Sequence, residues 1–161
     1  MGCADPVSHL SNPADNRPGA RAPEPEAYVL DQQVGFVLRQ VSQRHATLFT
    51  ARMSDDITPT QWAALAKLYE VGPTWQNLLG RMTAMDVATI KGVVDRLMKR
   101  GFVRSTTDDA DARRRLLALS AEGRAFVEAK ISVAHAITRD TLAPLTQDQR
   151  ATFVALLEKL R

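Results

Sequence analysis

Cysteine is nearly absent: Cys3 is the single one in 161 residues. That excludes an internal disulfide and any zinc site built on cysteine pairs. Histidine is scarce too, and His9, His45 and His135 lie far apart in the sequence, so no metal-ligand spacing is offered. There is no glycine-rich phosphate loop and no nucleophile elbow. No apolar run approaches the roughly 18 residues of a membrane span. The N-terminus lacks the basic and apolar regions of a secretion signal. These absences lead to the expectation of a soluble, cytoplasmic protein that is not an enzyme, needs no cofactor and has no membrane partner.

What is present is charge, unevenly spread. The chain carries a net +3, yet Thr74 to Ser120 holds nine Lys/Arg against five Asp/Glu. The other 114 residues hold twelve basic and thirteen acidic residues, so the positive excess sits in one segment. Such a footprint suits a polyanion partner. Residues 1–26 read as a disordered tail: five prolines and many small polar residues leave too little apolar surface to offset the entropy of ordering. Cys3 lies in that tail. Residues 27–161 read as one domain.

The hydrophobic periodicity predicts six helices and a hairpin. Residues 27–52 form a long helix with a stripe of Val34, Leu38, Val41, His45, Leu48 and Phe49, expected to pack along most of its length. "ITPTQWAALAKLYEVG" starts a second helix with Thr58 as cap, Pro59 in first position and Gln61 closing a capping box; Trp62, Leu65 and Leu68 or Tyr69 face inward, and Gly72 and Pro73 end it. "TWQNLLGRM" reads as a short helix capped by Thr74. "MDVATIKGVVDRLMKRG" is a helix capped by Asp86 that buries Ile90, Val93 or Val94, and Leu97, with Gly101 at its end. "FVRS" and "RLLALS" are strands of a hairpin with a charged tip, "TTDDADAR". Ser120 caps a long helix in which Gly123 is tolerated, and Thr146 with Gln149 opens the last one.

Three compact helices followed by a hairpin make a winged helix-turn-helix. The fold class is mainly α with a small β-hairpin wing and a helical dimerisation region. The winged part spans about 58–120. The outer helices, about 27–52 and 121–161, keep apolar stripes that pair best with each other and with a second copy, predicting a homodimer. A recognition helix places its N-terminal residues at base edges in the major groove. Ala88, Thr89 and Lys91 occupy those positions, Thr89 able to donate or accept and Lys91 able to reach guanine or phosphate. Thr74 and Gln76 are candidates for phosphate contacts. In the wing, Arg104, Arg113 and Arg114 are further candidates. Arg113 suits the narrow, electronegative minor groove, with Asp111 two residues earlier to orient it. Either Arg114 or Arg115 is left to flank the hairpin.

"DDADARRRLLALS", "VVDRLMKRGFVRS" and the helix order resemble the MarR family of bacterial transcriptional regulators, over roughly residues 28–161. The D-R-L-x-x-x-G, D-x-R and L-x-L-[ST]-x-x-G patterns carry the resemblance. It implies a homodimer on a pseudo-palindromic double-stranded DNA operator, usually as a repressor, relieved by a small aromatic acid. Two residues depart from the pattern: Gly92, where the family often has a polar or basic side chain facing DNA, and Leu79, where alanine is commoner. More loosely, "QRHATLF" followed by "TPTQWAALAKL" is similar to regulators of nicotinic acid and related aromatic-acid catabolism. The resemblance places an effector pocket between the first two helices and the long fifth one. His45, Trp62 and Arg39 are the candidates there, since an aromatic acid needs apolar walls and one or two convergent polar groups. The alternative is a winged-helix protein-interaction module without DNA binding, which would not need an arginine-rich wing.

Overall fold

A computed structural model describes residues 27–53, 57–107 and 115–160. A single 3₁₀ turn, Leu30–Gln32, precedes α1, Val34–Met53. The first long helix thus begins seven residues later than the apolar pattern suggests. Val29 and Gln33 are extended, and the Gln33 side-chain amide donates to the Val29 carbonyl, closing a turn where a helical turn was expected. Then come α2 (Pro59–Val71), β1 (Thr74–Trp75), α3 (Gln76–Met82), α4 (Val87–Lys99), β2 (Val103–Thr107), β3 (Arg115–Leu119), α5 (Ala121–Thr141) and α6 (Gln147–Glu158).

The helix boundaries follow local chemistry. Thr58 Oγ1 accepts from the Gln61 N–H at 3.2 Å and Gln61 Oε1 accepts from the Thr58 N–H at 3.0 Å, the expected capping box. Thr146 and Gln149 repeat it at α6. Gly72 ends α2 at φ +77° and Gly101 follows α4 at φ +74°, backbone that glycine adopts without penalty. Ser120 Oγ accepts from the Gly123 N–H and donates to the Gly101 carbonyl at 2.6 Å, so one hydroxyl caps α5 and pins it to the end of α4.

The wing is a three-stranded antiparallel sheet in the order β1-β3-β2, not a hairpin alone. Thr74 pairs with Leu117 and Trp75 with Leu116. This corrects the reading of Thr74 as a helix cap. It is a strand residue, 6% exposed, and α3 starts after Trp75 with no side-chain cap at all. Two residues are too short a strand to leave a period in the sequence; only the partner strand reveals it.

The core is one cluster in which Met53, Leu65, Leu79, Ile90, Leu97 and Leu117 are fully buried, joining all three middle helices to the sheet and to the end of α1. Each such side chain contributes on the order of 1.5–3 kcal/mol by leaving water. The outer helices differ. Only Phe49 and Met53 of α1 are buried, while Val34, Val37, Leu38 and Val41 stay exposed, so within this chain α1 packs by its second half. Helix α6 buries nothing and exposes Val154, Leu156 and Leu157.

Candidate nucleic-acid interface and effector cleft

Helix α4 presents a divided surface. Ile90, Val93, Val94 and Leu97 are buried, and Ala88, Thr89 and Lys91 are exposed. Asp86 fixes the first turn: its carboxylate accepts from the Thr89 N–H at 2.7 Å and from the Thr89 hydroxyl at 3.1 Å. The backbone N–H and then the hydroxyl of Thr89 hold this carboxyl below the usual carboxylate range. The Thr89 hydroxyl proton is therefore committed to Asp86, which leaves its oxygen as an acceptor. Lys91 makes no ion pair with another described residue.

The sheet is tied to this helix. Arg115, first residue of β3, donates from Nη1 to Asp95 Oδ1 of α4 at 3.2 Å, and its Nη2 lies 3.2 Å from Met98 Sδ and 3.5 Å from Ser105 Oγ. Of the three consecutive arginines, this one flanks the hairpin. Asp111, Arg113 and Arg114 lie outside the described residues. Arg104 is exposed and lines the face of the sheet that carries Thr106 and Ala118, opposite the face on which Ser105 meets Arg115. Gln76 is half-buried at the start of α3, and its Oε1 has no hydrogen-bond partner among the described residues. Thr74 is buried in β1 and offers no surface group.

The structure brings His45 and Trp62 together. They line a cleft of about 210 Å³ with Phe49 of α1 and Ala134, Ile137 and Thr138 of α5. His45 Nδ1 lies 3.0 Å from Thr141 Oγ1, whose own proton goes to the Ile137 carbonyl at 2.8 Å. Nδ1 is thus the donor, and Nε2 is the ring atom left to accept. Arg39 does not join them. It is exposed, and six residues at about 100° each carry it to another side of α1. The arginine that reaches the end of α5 is Arg44, which donates to the carbonyls of Thr141 and Asp140. Sequence reasoning missed Arg44 and Thr141 because their meeting joins residues 97 apart.

A sequence model of the MarR family matches residues 57–114. The helix-turn-helix transcriptional repressor NicR of Pseudomonas putida is 34% identical over 151 residues, covering 93% of this chain and 90% of NicR. The chain belongs to the MarR family. A probable transcriptional regulator from Pseudomonas aeruginosa shares the fold at a TM-score of 0.79 and 52% identity, over 83% of this chain and 100% of the other. BpsR of Bordetella bronchiseptica, whose DNA binding is regulated by 6-hydroxynicotinic acid, gives a TM-score of 0.77 at 35% identity, over 80% and 98%. The MarR-family patterns acquire physical roles here. The aspartate of D-R-L is Asp95, which anchors the wing through Arg115. The serine and last glycine of L-x-L-[ST]-x-x-G are Ser120 and Gly123, which fasten α5 beneath Phe102.

Proposed function

We propose that this MarR-family chain is a DNA-binding repressor, released from a pseudo-palindromic operator by a small aromatic carboxylate. The observation that carries the DNA reading is the outward N-terminal face of α4. Ala88, Thr89 and Lys91 stand exposed on a helix whose first turn is fixed by Asp86 and whose flank is locked to β3 by Arg115. Residues of about 58–120 are the DNA-reading unit, with Gln76, Arg104 and the wing residues Asp111, Arg113 and Arg114 touching backbone or minor groove. Residues of about 27–52 and 121–161 join two copies and set the separation of the two recognition helices. Among the described residues no helix is long and apolar enough to cross a membrane.

The effector reading is supported by the cleft. Phe49, Trp62 and Ile137 supply apolar walls, and His45 supplies a nitrogen suited to a hydroxyl, ring N–H or protonated carboxyl of the ligand. The likeness to BpsR, regulated by 6-hydroxynicotinic acid, favours a hydroxylated pyridine carboxylate. The cleft is built from α1, α2 and α5, the elements that join the outer helices to the reading unit, so a ligand there can bias their relative placement. The test is a gel shift with genomic fragments at two salt concentrations, repeated with a panel of aromatic acids that includes 6-hydroxynicotinate. The expected result is a salt-sensitive complex that one class of acid dissolves. A protein that shifts no fragment overturns the DNA reading; a complex indifferent to the whole panel overturns the effector reading alone.

A further inference from the structure

Gly92 sits in the middle of α4 on its outward side, where glycine is the poorest helix former after proline. The three nearest atoms that a Cβ built there would meet all belong to the Arg96 guanidinium, whose nitrogens lie at 3.7 Å and carbon at 3.9 Å. An alanine methyl would touch that group at ordinary contact distance, whereas a longer side chain would occupy the guanidinium's place. Helical side chains lean toward the helix N-terminus, so Arg96 has folded back one turn over the bare backbone of Gly92. Arg96 is exposed, and its guanidinium makes no ion pair or hydrogen bond with another described residue. Its neighbour Asp95 is already engaged by Arg115.

We infer that Arg96 reads a guanine in each operator half-site, and that Gly92 provides the notch through which it does so. The inference rests on the DNA-binding reading above. Seven residues of helix bring Arg96 to within about 20° of the stripe that carries Thr89. The backward lean then carries its head group over Gly92, toward Ala88, at the end of the helix that enters the major groove. A planar guanidinium there can give two parallel hydrogen bonds to guanine O6 and N7. The position where MarR-family chains often carry a polar or basic side chain is thus covered here by the arginine of the D-R-L pattern, one turn on.

The experiment is selection from a random pool of double-stranded DNA by the full-length protein and by Arg96→Ala and Arg96→Lys, followed by affinities for the selected site with each base pair exchanged in turn. The parent is expected to select a motif with a guanine at one fixed place in each half. Arg96→Ala should melt at the parent's temperature, lose preference at that place alone, and bind the parent's site roughly 10- to 100-fold more weakly. Arg96→Lys should recover part of the preference, because an ammonium lacks the fork. Gly92→Met should lose the same preference by displacing the guanidinium. An Arg96→Ala motif identical to the parent's overturns the inference. So does a loss equal on all sequences, with the salt slope reduced by about one, which marks a phosphate contact. Both of those results leave the regulator reading standing; a parent protein that enriches no motif removes both.

Discussion

At the residue scale, one backbone amide, one hydroxyl and one carbonyl each impose a local requirement. Asp86 is held charged by the Thr89 N–H and hydroxyl. Its folded-state pKa lies below that of a free aspartate, so its stabilising effect is complete above the free value and is lost as pH falls through the depressed one. Melting temperature measured from pH 6 down to pH 3 should show the advantage of the parent over Asp86→Asn shrinking as the solution becomes acid. A gap that stays constant would mean the charge on the cap does nothing. Gly123 has a sharper requirement. A Cβ there would overlap the Phe102 carbonyl oxygen, which is backbone and cannot swing aside. Gly123→Ala should therefore lose roughly 1–3 kcal/mol or more, measured by urea unfolding. The sequence suggested only that glycine is tolerated at this point of α5. A close approach between residues 102 and 123 leaves no trace in either segment read alone.

At the scale of elements, the helices with strong local signals and the hairpin strands β2 and β3 were legible, and β1 was not. Thr58, Asp86, Ser120 and Thr146 each cap the helix their position announces. A short polar side chain before an apolar period satisfies free N–H groups wherever the rest of the chain goes. Strand β1 and the His45–Thr141 contact depend on tertiary neighbours and were invisible. The candidate site was legible in part for the same reason: α4's exposed face follows from its own period, whereas Arg39 was chosen by nearness in sequence, which a helix does not preserve. Helices α1 and α6 show what local pattern predicts and one chain cannot supply. A 12-residue helix with no buried residue is marginal alone, and the apolar residues at 34, 37, 38 and 41 stay 41–70% exposed. A second copy is the partner proposed for both. Leu38→Glu should convert a dimer into a monomer in light scattering at micromolar concentration, with a loss of helical signal as α6 melts. A parent protein that is itself a stable monomer there would refute the dimer.

At the scale of the whole molecule, the function proposed above has effector and operator compete for one distribution of dimer shapes. Coupling of this kind is reciprocal. If an aromatic acid weakens operator binding by some factor, the operator must weaken acid binding by the same factor. Titration calorimetry of the acid into free and operator-bound protein measures this directly. Equal affinities, alongside a gel shift that the acid dissolves, would show that the acid acts somewhere other than on this equilibrium. His45→Ala should lose the acid's effect, because it removes the ring nitrogen in the cleft and the tie to Thr141.

The two-residue strand β1 has a mechanical consequence. It stitches the start of α3 to β3, and Arg115 stitches β3 to α4, so the helix pair and the root of the wing are joined at two places. In the proposed dimer each half then acts as one jaw of a caliper, with the outer helices as its pivot. Successive bases are about 3.4 Å apart along the duplex. Opening the jaws by about one such step leaves the second recognition helix astride the wrong rung while the first still grips. On the function proposed above, the operator is gauged by span before it is read by letter, and release by an effector is a change of span.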